Sequence, residues 1–469
     1  SVTSNGGLGT TSSVRLRGLD GKYIGVTIDG IEVTDSASPQ TSFNFGSFSR
    51  GLVDRLELAK GAQTTVYGSD AIAGAINVTT WRPDVDGRSG EASVEVGSFG
   101  TASGRLSFGY RDADGEVAAT LSRVQTDGFS ALKVETAGDS DSFSETGLSL
   151  SMRRNLSDSV TLGLTGFYTD SSSEFDDDFN ELSIGQLDLT RTGVRAFAEV
   201  SGDSIEHEFG LSYFENDRND VFSAFANSFI GERLKAEYLG TTDVSGSVTL
   251  AFGADWTEET SNLDGDTSDA SNGAVFGEVL YAMSDATDVT FGARFDAYSD
   301  FDDQLTGRLA FAHRGAGALT YKASFGNGFR APSLYERFGP FAPAGGLEPE
   351  ESRSADIGIE ADFDRASYSA TLFYTEIDNL IAFSGGGYNQ VPGTTNSQGV
   401  ELAADWSFGA ADVFANYTYT DAGSDTSRLS RVPRHDVSFG VSGALSDSLT
   451  AAVDVRSVND TVNFGTPLD

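Results

Sequence analysis

The chain has 469 residues, with 31 Lys and Arg against 70 Asp and Glu, so its net charge is 31 − 70 = −39. This acidity, without any basic stripe, excludes a nucleic-acid-binding protein because a phosphate backbone would be repelled. The absence of cysteine excludes disulfide cross-links, thiolate metal sites and cysteine nucleophiles.

The hydropathy of the sequence indicates neither a membrane-spanning helix nor a signal peptide. No apolar run approaches the roughly 18 residues that a membrane helix needs. The opening segment, Ser1–Ser12, is polar and Gly-rich and has no signal-peptide character. A membrane β-barrel stays compatible with this profile, because its lipid-facing residues alternate with polar ones.

The first 80 residues predict a compact mixed unit. Tyr23–Asp29 reads as a strand, Gly30 as a turn and Ile31–Val33 as the returning strand, with Asp20-Gly21 as a hairpin turn before them. Leu52–Leu58 has helix-like apolar spacing and is equally compatible with the start of a strand.

The unit closes with Leu58–Thr80, whose sequence is LAKGAQTTVYGSDAIAGAINVTT. Three glycines there suit turns, and Ile76–Val78 is a β-branched strand run. From the residues alone, this stretch predicts a Gly-pinned piece of a mixed α+β domain.

From Glu91 onward the pattern changes to long alternating strands. Val289–Tyr298 and Val400–Phe408 alternate apolar and polar residues with period 2, which is typical of strands with one face of each kind. Strands of nine to eleven residues match a tilted membrane strand. About nineteen such strands can be counted.

The connections between these strands alternate in length. Short polar turns are predicted at Asp112–Gly115, Asn155–Asp158, Ser201–Ser204, Ser284–Asp288 and Gly315–Gly317. Long polar loops are predicted at Thr126–Glu145, Asp170–Thr190, Glu215–Glu232 and Glu258–Gly273. Short turns at one end and long loops at the other are the arrangement of an outer-membrane barrel.

Several motifs resemble TonB-dependent outer-membrane receptors. The end of the first unit is similar to the end of their plug domain at Glu57, Lys60-Gly61, Tyr67-Gly68, Ala71, Gly74 and Ile76–Thr80. Phe325–Phe338 (FGNGFRAPSLYERF) and Leu347–Gly358 (LEPEESRSADIG) resemble two barrel signatures, with Asp356 where the family has Glu.

The resemblance implies an all-β membrane barrel in the bacterial outer membrane, with 22 antiparallel strands and an N-terminal α+β plug inside the lumen. It divides the chain into residues 1–82, the C-terminal part of the plug, and residues 88–469, the barrel. Since only about nineteen strands are counted, and an odd count cannot close an antiparallel barrel, we expect a fragment. The expected missing parts are the N-terminal segment that engages TonB and the last barrel strands.

Within this family, the opening segment and loop spacing are most similar to the cobalamin transporters. The resemblance implies active transport of a large scarce nutrient, driven by TonB and not by chemistry in this chain. It places substrate-binding residues in the upper plug loops, at Asn5, Leu8, Thr11, Asp35, Ser36, Ser38 and Gln40.

Carboxylates crowd two of the predicted long loops. Held together they repel one another unless a cation neutralises them, and Ca²⁺ accepts six to eight oxygens in flexible geometry. The resemblance places a structural calcium site in the same two loops. The predicted ligands are Asp139, Asp141, Asp176, Asp178 and Asp188.

A folded plug in a polar lumen needs charged contacts with the wall. Arg15 and Arg17 on the plug are the predicted cations, and Glu336 and Glu350 in the barrel motifs are the predicted carboxylates. The sequence does not show which arginine pairs with which glutamate.

Two rival functions stay open. A ferric-siderophore receptor shares every motif, and apical aromatics would favour it at Tyr168, Phe175, Phe179, Phe222, Phe225 and Phe229. A secreted calcium-binding adhesin or β-rich hydrolase is more remote. No residue is a catalytic candidate, since the three histidines, His207, His313 and His435, are scattered among strands, so we expect no enzyme.

Overall fold

The computed structural model describes residues 1–130, 140–176, 184–221, 226–424, 427–463 and 465–468. Nearly all of the regular structure in these ranges is β. None of the helices in the described part is both long and apolar enough to cross a membrane. The chain forms a small α+β plug followed by a large barrel, as the sequence predicts.

The plug is built on a four-stranded sheet, whose strands lie in the order β4 (Ile31–Glu32), β3 (Ile24–Ile28), β6 (Gly74–Thr80) and β5 (Val53–Lys60). Three single-turn 3-10 helices lie at Gly21–Tyr23, Phe45–Ser47 and Arg50–Leu52. The strands and the one helix of the plug are β1 (Val2–Ser4), β2 (Ser12–Val14), β3 (Ile24–Ile28), β4 (Ile31–Glu32), β5 (Val53–Lys60), α1 (Thr64–Tyr67) and β6 (Gly74–Thr80).

The plug core forms because alternate residues of its central strands point to one apolar side. Ile24, Val26 and Ile28 on β3 are buried, and β6 lies parallel to β3 with Ile76 and Val78 buried beside them. Leu52–Leu58, ambiguous in the sequence, is mostly strand β5. Asp20 does not begin a hairpin turn, because its carboxylate caps the first 3-10 helix at the N–H of Gly21, 2.6 Å away.

Nineteen strands follow one another around the barrel, the number counted from the alternation. Two short hairpins lie outside the barrel wall: β22 (Ile381–Ser384) pairs with β23 (Gly387–Gln390), and β28 (Thr461–Asn463) pairs with β29 (Thr466–Leu468). The elements after the plug are β7 (Gly87–Val96), β8 (Ala102–Asp112), β9 (Gly115–Thr126), β10 (Phe143–Ser157), β11 (Val160–Asp176), β12 (Ile184–Ser201), β13 (Glu206–Val221), β14 (Ala226–Ser245), β15 (Val248–Leu263), β16 (Asp266–Ser284), β17 (Thr287–Tyr298), β18 (Gln304–Arg314), β19 (Leu319–Arg330), α2 (Leu334–Phe338), β20 (Glu350–Phe363), β21 (Ala366–Asp378), β22 (Ile381–Ser384), β23 (Gly387–Gln390), β24 (Thr395–Ser407), β25 (Ala411–Ser424), β26 (His435–Ser446), β27 (Leu449–Asn459), β28 (Thr461–Asn463) and β29 (Thr466–Leu468).

Alternation sorts the side chains between lumen and outer surface. On β17, Phe291 and Phe295 point outward and are exposed, whereas Gly292, Arg294 and Asp296 point into the lumen and are buried. The predicted apolar and polar faces are therefore the outer and inner faces of the wall.

The strand order brings the last strand, β27, next to the first, β7. Consecutive wall strands pair antiparallel, so in a set of nineteen the first and the last run in the same direction. No residue-by-residue register joins these two among the described residues, and every residue of β27 is exposed.

We call the end of the barrel with the short connections the turn end and the opposite one the loop end. Three of the four predicted long loops are wrong, because most of their residues are strand. Asp170–Thr190 is largely the paired ends of β11 and β12. Most of Glu215–Glu232 belongs to β13 and β14, and Glu258–Gly273 is two paired strand ends joined at Asp264-Gly265. These strand ends are polar on both faces, so pairing continues where alternation stops. The connection from β9 to β10 at 127–142 is long, as predicted at Thr126–Glu145, and the other long connections include 331–349, which holds α2, and 379–394, which holds β22 and β23.

The plug core predicts a stability effect. Ile28 is fully buried in the apolar cluster, so Ile28→Ala should lower the free energy of plug unfolding by about 2–5 kcal/mol through lost contacts and a cavity. The measurement is the urea concentration at which trypsin first cleaves the plug. The control is Val85→Ala, since Val85 is exposed between plug and barrel; equal midpoints for the two variants would contradict the assignment of the core.

Candidate functional site

A cavity of about 400 Å³ opens between the plug and the wall at the loop end, where β12 begins and β13 ends. Its plug side is formed by residues of the segment from Asp35 to Asn44 together with Thr11, Ser13, Asp20 and Val33, and its wall side is formed by β12 and β13. Four of the seven predicted substrate-binding residues line this cavity: Thr11, Asp35, Ser38 and Gln40.

The floor of the cavity is a hydrogen-bonded network between plug and wall. Asp35 accepts bonds from the N–H of Ala37 (2.9 Å), from Nδ2 of Asn216 (3.0 Å) and from the Arg218 guanidinium (3.4 Å). Arg191 donates to the carbonyl and hydroxyl oxygens of Ser47, at 2.9 and 2.8 Å. Burial raises the pKa of Asp35 although Arg218 opposes the shift.

The cavity carries charges of both signs. Asp20, Asp35 and Asp220 face Arg191 and Arg218 there, which gives a formal charge of 2 − 3 = −1. A polar ligand with both donors and acceptors suits this lining better than a polyanion.

The other three predicted binding residues lie outside the cavity. Asn5 accepts a bond from Arg431 at 2.7 Å, and the side chain of Leu8 is exposed. The hydroxyl of Ser36 donates to the Thr260 carbonyl of β15 at 2.8 Å, which ties the plug loop to the wall.

Of the predicted calcium ligands, Asp139 and Asp178 lie outside the described residues. Asp141 is buried, Asp176 accepts a bond from Ser130, and Asp188 accepts one from Gln186 at 2.9 Å. Within the described ranges, no three His, Asp or Glu side chains come together closely enough to hold a metal ion. The calcium site stays a prediction.

The aromatic residues proposed for a siderophore site are dispersed. Neighbouring residues of a strand face opposite sides of the sheet. On β11, Phe167 faces the lumen and is buried, so Tyr168 faces the outer surface, where it is exposed. Phe229 lies under the Arg218 guanidinium, 4.3 Å from its ring centre. Phe179, Phe222 and Phe225 are outside the described residues.

The strongest contact between plug and wall is a buried charge cluster, which we call the hub. Glu350 accepts bonds from Lys22 (2.8 Å) and from the hydroxyl of Tyr23 (3.0 Å) on the plug, and it also pairs with Arg330. Arg330 pairs with Glu336 at 3.0 Å, and these two residues and Glu350 have no exposed side-chain surface. Two cations and two carboxylates therefore compensate one another away from water.

The predicted plug arginines take other partners. Arg17 reaches the wall and pairs with Asp356 and with Glu401, the latter at 3.1 Å. Arg15 pairs at 3.0 Å with Asp20 inside the plug. Glu336 caps α2 through the Ser333 N–H (2.9 Å) and bonds Arg330, and both of these partners are wall residues.

Sequence reasoning missed three further cations at the interface. Lys22 belongs to the hub, Arg233 pairs with Glu32 of the plug and Glu259 of the wall, and Arg294 pairs with Asp255 at 2.7 Å and Asp296 at 3.0 Å. The sequence pattern could have identified Arg233 and Arg294, because both occupy lumen-facing positions on strands that alternate polar and apolar residues.

Breaking the hub should destabilise the plug strongly. Lys22→Met leaves Arg330 with two buried carboxylates, so the free energy of plug unfolding should fall by roughly 3–5 kcal/mol. Urea-dependent cleavage of the plug measures it. Arg314→Met is the matched control, because Arg314 pairs with Asp288 at the exposed turn end; a hub variant as stable as this control would refute the role of Lys22.

Asp70 should make plug stability depend on pH. Burial raises its pKa to about 7, against the opposing effect of Arg330 and Arg233. Its protonated form thus stabilises the folded plug fully below about pH 4, the ordinary Asp range, and this contribution is lost as the pH rises through about 7. Urea midpoints of the plug between pH 4 and 8 should fall in the native protein and fall less in Asp70→Asn. Identical slopes would contradict the expectation.

Comparisons with known proteins agree with this architecture. Residues 80–463 match the family model "TonB dependent receptor-like, beta-barrel", and residues 1–75 match "TonB-dependent Receptor Plug Domain". The vitamin B12 transporter BtuB of Photobacterium profundum is 26% identical over 436 residues, which is 89% of this chain and 70% of that protein.

Solved structures share the fold at low sequence identity. The copper transporter OprC superposes with a TM-score of 0.82 at 16% identity, covering 98% of this chain and 81% of that one. The siderophore receptor PirA from Acinetobacter baumannii superposes with a TM-score of 0.82 at 15% identity, covering 98% and 82%. These relatives are transporters and receptors.

Proposed function

Because the chain belongs to the TonB-dependent receptors of the outer membrane, whose task is nutrient uptake, we propose that the nutrient it takes up is cobalamin. The cavity at the loop end is the proposed binding site. The cobalamin transporters similar in sequence over nearly the whole chain support this choice of cargo.

The observation that carries the proposal is the mixed polar lining of the cavity. Cobalamin bears many neutral amide side chains, which both donate and accept hydrogen bonds. Gln40 and Ser38 on the plug and Asn216 on the wall are groups of matching character. A corrinoid is larger than the cavity of about 400 Å³, so one edge of it would enter while the rest stays among the loops.

The same lining distinguishes cobalamin from a ferric siderophore. Ferric catecholate complexes are polyanions, and they would bring negative charge to Asp20, Asp35 and Asp220, with Arg191 and Arg218 already engaged in the cavity floor. Desolvating such a complex beside carboxylates is unfavourable. The ferric-siderophore receptor is the second candidate, supported by the shared fold of the PirA structure.

The remaining predicted residues take part at the rim. Asn5 and Leu8 are the plug residues that would meet the outer part of the ligand, and Ser36 holds the loop in place. Ca²⁺ would order two loops at the loop end through Asp141, Asp176 and Asp188, with Asp139 and Asp178. TonB is the partner that supplies the energy for release.

Calorimetric titration of cyanocobalamin into the detergent-solubilised receptor tests the cargo. We expect binding, and we expect it to weaken when Ca²⁺ is chelated. Binding that ignores chelation would keep cobalamin and remove the metal site. Binding of a ferric siderophore without binding of cyanocobalamin would replace the proposal by the second candidate.

A substitution at the cavity rim tests the site. Thr11 is exposed and lines the cavity, so Thr11→Trp should block the entry without disturbing the plug core and weaken cyanocobalamin binding at least about tenfold, or roughly 1.4 kcal/mol. Ser448→Trp, on an exposed connection at the turn end, is the matched control. Native affinity in the Thr11 variant would place the ligand elsewhere.

A further inference from the structure

Two other polar cavities lie between the plug and the wall, the upper one against β14–β17 and the lower one against β17–β21, so that they share β17. The upper one, of about 70 Å³, is lined by Asp70 of the plug and by Arg294 of β17. The lower one, of about 280 Å³, is lined by Arg17 and Lys60 of the plug and by Thr290 of β17. Both have room for water and charged groups to hold it.

The wall separates these cavities by a single lumen-facing position of β17. Thr290 lines the lower cavity and Arg294 lines the upper one, and between them only Gly292 points into the lumen. Lumen-facing neighbours on one strand are about 6.6 Å apart. Thr290 and Arg294 are thus about 13 Å apart along β17, with Gly292 as the one lumen-facing residue between them.

What closes the gap is α1 together with the residues just before it. A Cβ built on Gly292 would lie 2.8 Å from Cγ2 of Thr65, and one on Gly328 of β19 would lie 2.9 Å from Cγ2 of Thr64. A Cβ on Gly326 would lie 3.5 Å from Cβ of Ala62. The plug side chains thus pack directly against bare backbone on the wall, and we call this contact the α1 seat.

The seat differs from the contacts on either side of it. Arg17 on one flank and Glu32 on the other are held to the wall by ion pairs. The seat itself has small side chains and a hydrogen bond of 3.2 Å from Thr64 to the Asn327 carbonyl. Moving α1 therefore breaks fewer strong interactions than moving either flank.

The upper cavity also reaches the proposed binding site. Gln40 and Ser42 line the cavity at the loop end, whereas Thr41 between them lines the upper cavity. The Thr41 hydroxyl is buried and has no hydrogen-bond partner among the described residues. Thr41 is β-branched and has a φ of 46°, a conformation that such residues rarely adopt. One short segment thus divides the two spaces.

We propose that solute crosses this receptor beside β17. It passes from the binding cavity past Thr41 into the upper cavity, which β14–β17 line, and then past α1 into the lower cavity, which β17–β21 line, and out at the turn end. The α1 seat is the gate of this route. Which solute uses it rests on the proposed function; the position of the route does not.

Passive leak tests the gate independently of the cargo. Gly292→Val adds bulk against Thr65 and should displace α1, so liposomes that contain the purified variant should swell several-fold faster in stachyose than those with the native receptor. Gly273→Val is the matched control, because an added Cβ on that strand glycine meets nothing within 4 Å. A folded Gly292 variant, judged by its heat-modifiable migration, that leaks no more than this control would overturn the proposal.

A reversible cross-link tests the movement in transport. The chain has no native cysteine, and the 3.5 Å between the Cβ positions of Ala62 and Gly326 fits a disulfide. In the Ala62→Cys/Gly326→Cys variant, oxidation should abolish uptake of cyanocobalamin by cells, keep its binding, and allow uptake again after reduction. Uptake that continues with the disulfide formed would overturn the gate.

A second cross-link separates local from global movement. Gly18→Cys/Ala422→Cys ties the plug to β25, where the Cβ positions lie 3.0 Å apart and must separate by some tenths of an ångström. Uptake should persist when this pair is oxidised. Loss of uptake in both cross-linked variants would show that the whole plug moves and would overturn a local gate. Absence of cyanocobalamin uptake by the native receptor would refute the cargo alone, and the stachyose measurement would still decide the route.

Discussion

The buried hub of Lys22, Glu350, Arg330 and Glu336 is the interaction on which the closed state depends. A nineteen-stranded wall encloses a lumen wide enough for large solutes, so the plug must stay inside it while its outer surface faces polar side chains. Among the described residues, a few wall side chains such as Phe167, Phe214 and Ile377 pack against the plug core, but many buried lumen-facing residues are polar or charged. Compensated ion pairs can form with such a wall, and they also leave the plug free to exchange those contacts for water when it is pulled, because charged groups are readily hydrated.

The hub also connects parts of the molecule that are distant in sequence. Glu350 accepts a bond from the N–H of Ile381 at 2.6 Å, and Lys22 donates to the carbonyl of the same residue at 2.8 Å. Ile381 begins the β22-β23 hairpin at the loop end and packs with Tyr335 and Tyr388. A movement of the plug at Lys22 would therefore directly change the contacts of the β22-β23 hairpin at the loop end.

Much of the fold follows from period-2 alternation, and the failures have physical causes. Alternation records a wall with one apolar and one polar surface, so it identifies strands such as β17 well. It fails where strands extend beyond that wall, as between Glu258 and Gly273, because both faces are then polar while backbone pairing continues.

The prediction of the contacts between plug and wall failed for another reason. Whether Arg15, Arg17 or Lys22 meets Glu350 depends on how the plug sits in the lumen, and Lys22 and Glu350 are more than 300 residues apart in the sequence. The resemblance to the family predicted which plug loops line the cavity. It did not predict which side chains of those loops face it, since Asn5, Leu8 and Ser36 lie outside the lining.

We infer that the plug is held firmly at its flanks and weakly at α1, and native-state hydrogen exchange in rising urea tests this most directly. The amides of Tyr67 and Gly68 bond to the carbonyls of Gln63 and Thr64, at 3.0 and 2.9 Å. They should open at low urea in a local transition, while the amides of β3 and β6 stay protected until the plug unfolds as a whole. Equal opening free energies for α1 and for the β3-β6 pair would contradict a gate at α1 and indicate a plug that yields only as one unit.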